Sequence, residues 1–469
     1  MNSHISRRAF LAAGAAMAAS TIAPARARAA ADIRTLLATT RTLDVRGRAV
    51  SVMGLLGPDG RPGLVLDPGE RFRVDLTNRL TEPTAIHWHG QIPPHNQDGV
   101  PDLPRPALAP GEVRSFDFAA RPGTHWMHSH LPLQEMAPLA APLVVRRAED
   151  RQDVVMFHDL SFDPPEAVLA RLGVGTLAGM DHGAPMAGHD MSAMTGMDGM
   201  AAMAVSDIAF DAYLANARTL DDPEVVAVEA GGRVRLRVIN AAAATAFWID
   251  TGAVPARLVA VDGEDVEPVE DRHFGLSMGQ WLDLLDLPGG GGAFPVLALR
   301  EAAPERAGIV LASPGATVPR LPIRGEAPAP VFDMYLAQEG RLRALAPRAP
   351  DQAPMVMLEG FMAPYLWTID GRSWPDPQPL LARAGERVEL TFHNMLMMAH
   401  PMHLHGHAFQ VVGLNGRQLV GAVRDTVLVP PMAAVTVAFD AGEAARWMLH
   451  CHHMPHLATG MMTELRVSA

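Results

Sequence analysis

Apolar and polar residues alternate in short stretches along much of this chain. Val74 and Leu76 alternate with polar neighbours in the first third, and Val388, Leu390 and Phe392 do so in the last third. Side chains on a β-strand point to opposite faces in turn, so this period of two predicts half-buried strands. The 41 glycines and 40 prolines favour short strands joined by tight turns. The pattern therefore predicts an all-β protein.

One strand motif occurs three times with the same spacing. A glycine-led turn opens the strand, and an asparagine follows nine positions after the first glycine. The three copies are Gly69–Asn78, Gly231–Asn240 and Gly385–Asn394. Such a repeat indicates an array of similar structural units. We therefore divide the chain into residues 32–150, 151–320 and 321–469, each of a size that fits a small β-sandwich.

Histidines distinguish the two outer copies from the middle copy. His87 and His403 stand nine positions after their asparagines, where the middle copy has Ile249. Residues i and i+2 of a strand share a face about 6.6 Å apart, so a His-x-His pair can present two imidazoles to neighbouring metal ions. Such pairs in the outer units predict one metal cluster shared between them. The four pairs are His87/His89, His128/His130, His403/His405 and His450/His452.

The last segment contains the most specific metal-binding pattern. Cys451 is the only cysteine, so no intramolecular disulfide can form. Together with His456 and the upstream His400, it supplies the two-histidine, one-thiolate ligand set of a blue copper site, with Met461 as the weak axial ligand. Because Cys451 alternates with its two histidine neighbours along a strand, it can bind one copper while they bind the cluster behind it.

These motifs make the sequence resemble the three-domain multicopper oxidases, a family that includes laccases, copper efflux oxidases and copper-resistance oxidases. The resemblance covers essentially the whole chain after residue 29, and all four ligand motifs stand in the family's order. It implies an all-β fold of three consecutive cupredoxin-like Greek-key β-sandwich domains. It also implies one-electron oxidation of a reducing substrate, coupled to the four-electron reduction of O2 to water by four copper ions.

The resemblance further implies which copper each ligand binds. A type 1 copper would receive the electrons, and Cys451 would pass them to the histidines on either side of it in sequence. A type 2 copper and two type 3 coppers would form the cluster that reduces O2. The implied ligands are His400, Cys451, His456 and Met461 for type 1, His87 and His403 for type 2, His89, His128 and His452 for one type 3 ion, and His130, His405 and His450 for the other.

Acidic residues near these motifs bear on proton delivery. Asp98 lies nine positions after His89, where the family places a carboxylate that assists proton delivery to the cluster. Because O2 reduction consumes protons, a buried acid has a task there. A turn residue before Gly99 is the alternative interpretation. Copper efflux oxidases place a glutamate directly after the second type 1 histidine, and this chain has Leu457 there, which leaves that part of the proton path undefined.

A methionine-rich segment, residues 180–203, holds seven methionines, two histidines and three aspartates. Thioethers prefer Cu(I), so the segment resembles the copper-collecting inserts of copper-resistance oxidases. A flexible insert, or a helix that uses methionine to fill a core, is the alternative. Met398 matches a substrate-copper position of copper efflux oxidases, although Leu396 occupies the place of the acid that accompanies it. The other candidate substrate-copper ligands are Met191, Met194, Met197 and Met200.

The N-terminus has the pattern of an export signal. Arg7 and Arg8 precede an apolar, alanine-rich run and a small-residue cleavage site, so we expect the twin-arginine export machinery to deliver the protein to the periplasm and residues 1–29 to be removed. No later apolar stretch is long enough to span a membrane. Loss of four arginines moves the net charge from −12 to −16, which argues against nucleic acid and anionic membranes as partners. A monomer is expected.

Three classes of function fit these observations to different degrees. We expect an enzyme that oxidises Cu(I) in copper detoxification, with laccase-like oxidation of phenols or aromatic amines as the first alternative. A copper-storage protein without turnover is the second alternative. Some exported proteins of this fold have lost their copper ligands and serve cell division, but the complete set of ten histidines and one cysteine argues against that role.

Overall fold

The computed structural model describes residues 33–147, 152–175, 205–287, 291–332 and 345–469. The expected export signal (1–29) and the methionine-rich segment (180–203) lie outside the described residues. Six β-sheets make up most of the described chain, so the all-β fold class is confirmed. The unit boundaries at residues 150 and 320 stay predictions.

Two four-stranded sheets form the first unit. Its strands are β1 (Arg34–Val45), β2 (Arg48–Leu56), β3 (Leu64–Leu66), β4 (Phe72–Asn78), β5 (Ile86–His87), β6 (Val113–Phe118), β7 (Gly123–Ser129) and β8 (Ala140–Val145). The strand order is β2-β1-β4-β6 in one sheet and β3-β8-β7-β5 in the other. Alternate residues of both sheets, among them Phe72, Phe118 and Leu143, point into a shared apolar core.

A six-stranded and a five-stranded sheet form the second unit. Its strands are β9 (Gln152–Leu160), β10 (Ala212–Ala215), β11 (Val225–Ala227), β12 (Val234–Asn240), β13 (Phe247–Asp250), β14 (Ala256–Val261), β15 (Glu264–Asp271), β16 (His273–Leu276), β17 (Trp281–Leu287), β18 (Ala293–Arg300) and β19 (Arg306–Ala312). The orders are β10-β9-β12-β17-β14-β15 and β11-β19-β18-β13-β16. Ile249, the counterpart of His87, is completely buried in the apolar core of this unit.

The third unit has a similar pair of sheets. Its strands are β20 (Met355–Met362), β21 (Tyr365–Ile369), β22 (Leu380–Arg383), β23 (Arg387–Asn394), β24 (His400–Leu404), β25 (Phe409–Leu414), β26 (Arg417–Gln418), β27 (Val423–Arg424), β28 (Thr426–Val429), β29 (Ala434–Asp440), β30 (Arg446–Cys451) and β31 (Met462–Ser468). One sheet has the order β21-β20-β23-β29-β25-β26, with β27 also paired to β25, and the other has β22-β31-β30-β24-β28.

The repeated motif forms the same central strand in all three units. Strands β4, β12 and β23 each pair in parallel with the first strand of their unit, which is β1, β9 or β20. On the other side each pairs with an antiparallel strand, β6, β17 or β29. A parallel neighbour requires a connection that crosses between the sheets, as in a Greek key. The three cupredoxin-like sandwiches predicted from the sequence are thus confirmed.

The repeated asparagine fixes the loop that follows each central strand. Asn78, Asn240 and Asn394 are completely buried. In each case the side-chain oxygen accepts a hydrogen bond from the backbone N–H two residues later. Each side-chain nitrogen donates to at least two backbone carbonyls in neighbouring loops. Because the same bonds recur, the chain leaves every central strand in the same direction, and a histidine nine residues later is placed alike in the outer units.

Short helices follow two of the histidine-bearing strands. The described chain has three α-helices, α1 (Pro132–Met136), α2 (Pro165–Leu172) and α3 (Met454–Ala458), and a 3-10 helix over His95–Gln97. Helix α1 follows β7 and α3 follows β30, and these two helices pack against each other across the junction of the first and third units. None of the described helices is long and apolar enough to cross a membrane.

Replacement of the middle asparagine tests the role of this repeated bond set apart from metal binding. Asn240→Ala should lower the free energy of unfolding by about 2–4 kcal/mol, because it leaves two buried carbonyls and one N–H without their partner. The shift of the urea midpoint measures the loss, and copper content should not change. The exposed Asn96 provides the control, since Asn96→Ala should stay within about 0.5 kcal/mol of the parent. Equal midpoints for the two variants would contradict the assigned role.

Candidate metal centre

Eight histidines from the first and third units meet in one buried group, which we call the histidine cluster. In each unit they lie on, or just beyond, two adjacent antiparallel strands, β5 and β7 in the first and β24 and β30 in the third. All eight side chains are at most 5% exposed. The members are His87, His89, His128, His130, His403, His405, His450 and His452.

Two groups of three histidines within the cluster have the geometry of a metal site. They are His89, His128 and His452, and His130, His405 and His450, with ligand atoms within 4.8 Å of one another. In the first group, His89 Nδ1 lies 3.1 Å from His128 Nε2. In the second, His405 Nε2 lies 3.2 Å from His130 Nε2 and 3.1 Å from His450 Nε2. Each group takes ligands from both outer units, so neither unit can form it alone.

The remaining two histidines of the cluster leave one nitrogen each for a metal ion. The Nδ1 atom of His87 is 2.9 Å from the backbone oxygen of Asp98, and Nδ1 of His403 is 2.8 Å from the backbone oxygen of Asp425. These contacts orient both rings. The Nε2 atoms of both histidines are buried and have no hydrogen-bond partner among the described residues. A buried polar atom without a partner is costly, so this pair fits a metal ion between the two rings.

Burial lowers the pKa of seven of the eight imidazoles in the cluster. It lowers the pKa of His89, His128 and His403 well below the ordinary value, and repulsion between neighbouring histidines adds to the effect. Burial also lowers the pKa of His450 to about 3. A neutral imidazole has a ring nitrogen with an unshared electron pair, which is the form that binds metals. The cluster is therefore ready to bind cations at neutral pH.

The second unit closes the cluster without contributing a ligand. Gly279 has a φ of +75°, and a Cβ atom there would lie only 2.7 Å from ring atoms of His452. The ring of Trp281 meets the ring of His89 edge to face at 5.3 Å. In addition, the amide nitrogen of Gln280 donates to the backbone oxygen of Thr426 in the third unit. The second unit thus packs against the metal-binding rings and restricts their movement.

The predicted blue copper ligands form a separate group in the third unit. Cys451 Sγ lies 3.8 Å from His400 Nδ1 and 3.7 Å from His456 Nδ1, and all three residues are completely buried. Burial raises the pKa of the Cys451 thiol well above its ordinary value, so a cation is needed to stabilise the thiolate. Met461 is buried in the same apolar cluster as Cys451. The donor set of one sulfur and two imidazoles fits copper.

Strand alternation places this group and the histidine cluster on opposite faces of one sheet. In the pairing of β24 with β30, Met402 stands opposite Cys451 and His403 stands opposite His450. Because consecutive residues of a strand point to opposite faces, Cys451 faces the core of the third unit while His450 faces the first unit. The sequence prediction that a single strand serves two sites agrees with this geometry.

The first unit has a hydrogen-bonded counterpart of the blue copper group. Thr84 and Ser129 occupy the positions that His400 and Cys451 occupy in the third unit, and Gln134 follows Ser129 by the same five residues that separate Cys451 from His456. The hydroxyls of Thr84 and Ser129 both donate to Gln134 Oε1, at 2.7 and 2.8 Å. Three buried polar side chains thus satisfy one another where the third unit has metal ligands.

The side chain of Asp98 contacts two members of the histidine cluster. Its Oδ2 atom is 2.8 Å from His405 Nδ1, and its Oδ1 atom is 3.4 Å from His87 Nδ1. The side chain is buried. Its carboxylate contacts two predicted copper ligands, and its backbone oxygen contacts one of these two, His87. Carboxylates in such positions orient the ligating rings.

Asp425 was not identified from the sequence, although it also touches the cluster. Its Oδ1 atom lies 3.3 Å from His89 Nε2, and its backbone oxygen accepts from His403. Burial raises the pKa of Asp425 well above its ordinary value, and repulsion from Asp262 adds to the shift. The signal in the sequence was a charged pair, Arg424 and Asp425, that interrupts an otherwise apolar run before β28.

Glu135, on helix α1, was also missed. Its carboxylate lies 2.7 Å from Nδ1 of His128 and 3.6 Å from Nδ1 of His452, which belong to the same group of three. Glu135 follows Ser129 by six residues, as Leu457 follows Cys451. The acid that is absent at Leu457 is therefore present at the equivalent position of the first unit, and comparison of the repeats would have found it.

The methionines predicted to bind substrate copper are only partly described. Met398 is buried, 7% exposed, in the apolar cluster that also contains Cys451 and Met461. Met191, Met194, Met197 and Met200 lie outside the described residues. The structure therefore places Met398 in the same apolar core as Cys451, and the roles of all five methionines in binding substrate copper stay predictions.

Comparison with known proteins agrees with these motifs. Family models described as multicopper oxidase match residues 39–150 and 347–469. The multicopper oxidase MmcO of Mycobacterium tuberculosis is 31% identical over 438 residues, which cover 90% of this chain and 84% of that protein. A copper resistance protein A homolog of Pseudomonas syringae pv. tomato is 26% identical over 535 residues, covering 91% and 90% of the two chains. Laccase-2 of Botryotinia fuckeliana is 23% identical, covering 90% and 80%.

Solved structures show the same fold. The crystal structure of a multi-copper oxidase from Pseudomonas thermotolerans superimposes with a TM-score of 0.66 at 24% identity, covering 92% of this chain and 98% of that one. From the family models and the mycobacterial relative we conclude that the chain belongs to the multicopper oxidase family, copper-dependent oxidoreductases that use O2 as the electron acceptor.

Proposed function

We propose that this multicopper oxidase oxidises Cu(I) as part of copper detoxification and couples that reaction to the four-electron reduction of O2 to water. One observation carries the choice of substrate: the chain on both sides of the methionine-rich segment is attached beside the blue copper group. The relatives named as copper resistance proteins support the same choice.

We assign four copper ions to the two candidate sites. When bound, these ions would accept electrons singly from the reductant and deliver four to one O2 molecule. The unpartnered Nε2 atoms of His87 and His403 support a type 2 site, and the two groups of three histidines support a type 3 pair. The proposed type 1 ligands are His400, Cys451, His456 and Met461, and the proposed type 3 ligands are His89, His128 and His452, and His130, His405 and His450.

Cys451 connects the two sites through the backbone. Its sulfur faces His400 and His456, while the residues before and after it, His450 and His452, belong to the histidine cluster. An electron that enters at Cys451 therefore has a covalent route, one residue long in either direction, to the cluster. Within the cluster, Asp98 orients His405 and Glu135 orients His128, in each case through the Nδ1 atom of the ring.

The attachment of the methionine-rich segment favours Cu(I) as the reductant. Before the segment, the Gly175 N–H donates to the backbone oxygen of Tyr365 at 3.1 Å. After it, Asp207 accepts a hydrogen bond from the Tyr365 hydroxyl, and its Oδ2 atom lies 3.6 Å from His456 Nε2. The chain thus departs toward residues 176–204 and returns from them next to a proposed type 1 ligand.

Further thioethers lie on the surface near the same site. Met395 and Met397 are 58% and 60% exposed, and they precede His400 in the loop after β23. The backbone N–H of Met432, also exposed, donates to Leu396 in that loop at 3.1 Å. Soft sulfur donors on the outside and Met398 beneath them offer a route along which Cu(I) can approach.

Laccase-like oxidation of phenols or aromatic amines is the second candidate, supported by the relatives named laccase. The surroundings of His456 favour a small ion over a bulky aromatic substrate. The ring of Trp367 stacks on His456 at 3.7 Å, and Asp207 lies against its outer nitrogen. Because both neighbours are buried, a phenol has no open face of His456 to contact.

We also propose that the protein acts in the periplasm as a monomer after export by the twin-arginine machinery. The paired Arg7 and Arg8 and the small-residue cleavage site support export of the folded chain. Cys451 is the only cysteine and is buried, so the chain needs no disulfide in an oxidising compartment.

Cys451→Ser should abolish the blue thiolate absorption and reduce O2 uptake by at least about a thousandfold, because the entry ligand and the covalent route are lost together. Most of the cluster copper should remain, since Cys451 does not belong to that group. Absorption spectra, copper analysis and oxygen-electrode rates measure these effects. Ser129→Ala, at the equivalent position of the first unit, is the control and should stay blue and active. A variant at Cys451 that remains blue would refute the assignment.

Glu135→Gln should lower the affinity for type 3 copper, or the rate of O2 uptake, by about 10–100-fold, because the carboxylate that holds His128 and His452 is replaced by a neutral amide. The blue absorption should persist, since Cys451 and its partners are untouched. Copper content per chain and O2 uptake provide the readouts. Glu166→Gln, exposed on α2, is the matched control. If both variants match the parent, Glu135 does not support the ligands.

Deletion of residues 180–203 should lower the rate with limiting Cu(I) more than the rate with a small phenol. Thioethers raise the local concentration of Cu(I) and play no part in O2 reduction. If the methionines instead fill a core, the deletion would depress both rates equally and lower the melting temperature. Rates with both substrates, measured together with the melting temperature, distinguish these outcomes.

A further inference from the structure

A large cavity lies between the first and second units, away from the proposed copper ligands. It has a volume of about 880 Å³, within the range of about 300–1,000 Å³ that is typical of small-molecule sites. Residues of β1 and β8 form one wall, and residues of β9 form the other. Much of the lining is apolar, including Pro142, Val144, Val154 and Met156.

Most arginines that line this cavity are paired with carboxylates of the protein. Arg34 forms an ion pair with Glu70, Arg61 with Asp59, and Arg218 with Asp222. Glu224 accepts a hydrogen bond from Asn216. The three arginines thus have carboxylate partners, whereas the partner of Glu224 is a neutral amide. Among the described arginines that line the cavity, one has no such partner.

The exception is Arg41, on β1. Its side chain has no ion pair or hydrogen bond with any described residue, and its Nε atom is buried without a partner. Burial lowers the pKa of this guanidinium, which nevertheless stays charged at neutral pH. A positive charge held in a cavity wall without a counter-ion is unfavourable, and it attracts an anion.

His158, on β9, supplies a second polar group on the opposite wall. Its side chain is 5% exposed, and its Nε2 atom has no partner among the described residues. Burial, with the nearby charge of Arg41 adding to it, lowers the pKa of His158 to about 3. The imidazole is therefore neutral at neutral pH and can share a proton with an incoming oxygen atom.

We propose that this cavity binds a small organic carboxylate, with the carboxylate against Arg41 and His158 and an apolar body against the β8 and β9 walls. A carboxylate offers two oxygens that match the planar donors of a guanidinium. The buried nitrogens of Arg41 and His158 would each gain an acceptor or donor that the protein does not supply. The apolar lining favours a ring or branched chain over a free inorganic anion.

The experiment uses the copper-loaded protein and benzoate as the probe. Isothermal titration should show saturable binding of one benzoate per chain with a Kd of about 1 mM or tighter. Arg41→Gln should weaken binding at least about tenfold, because the charged partner is lost. Arg61→Gln is the control, since Arg61 is 87% exposed and paired with Asp59, and it should bind like the parent. Benzyl alcohol, which lacks the carboxylate, should bind much more weakly than benzoate.

A melting experiment separates a binding role of Arg41 from a structural role. Without benzoate, Arg41→Gln should melt at the same temperature as the parent or higher, because it removes an uncompensated charge. Benzoate should raise the melting temperature of the parent and leave that of the variant unchanged. O2 uptake should be the same in both. Absence of saturable binding to the parent, equal binding to Arg41→Gln, or a markedly lowered melting temperature of the variant would overturn the proposal.

Discussion

Burial of eight imidazoles in one interior is the constraint on which the rest of the structure depends. Removal from water lowers the pKa of seven of these rings and leaves buried nitrogens without partners among the described residues, which makes the cluster unfavourable unless a cation is present. Four of the rings belong to the first unit and four to the third, so the two units must stay docked for the cluster to exist. The second unit, which has no ligands in the cluster, secures that docking through Gly279, Gln280 and Trp281. The middle copy of the repeat, which has Ile249 and Thr251 in place of the histidines, therefore has a structural role.

Much of this arrangement could be predicted from the sequence because it depends on local spacing. The period of two along a strand relates Cys451 to its histidine neighbours, and the repeated asparagine places His87 and His403 alike. Glu135 meets His128 of its own unit, and it could have been found only by aligning the repeats, which places it opposite Leu457. Asp425 was missed because a carboxylate acquires its role from the ring it meets, and Asp425 meets His89 of a unit far away in sequence. The same limit applies to Arg41 and His158, which face each other across two units.

The two proposed kinds of copper site depend on different parts of the molecule. Reduction of O2 relies on buried rings held by backbone oxygens and carboxylates, which leaves little freedom for variation. In the proposed function, the choice of reductant would depend on the surroundings of His456, where Trp367 stacks on the ring and Asp207 lies against its outer nitrogen. Substrate preference can therefore change within this fold while the chemistry of O2 stays the same.

The hydrogen-bonded triad of Thr84, Ser129 and Gln134 shows that the sandwich can hold this pocket together with no metal at all. Two hydroxyls and an amide fill the space that one thiol and two imidazoles fill in the third unit. The same strand and helix positions can therefore carry either metal ligands or a self-satisfied polar triad. For protein engineers, the positions of Thr84, Ser129 and Gln134 are therefore the place to introduce a second blue copper site, which would send electrons to the histidine cluster from the first unit.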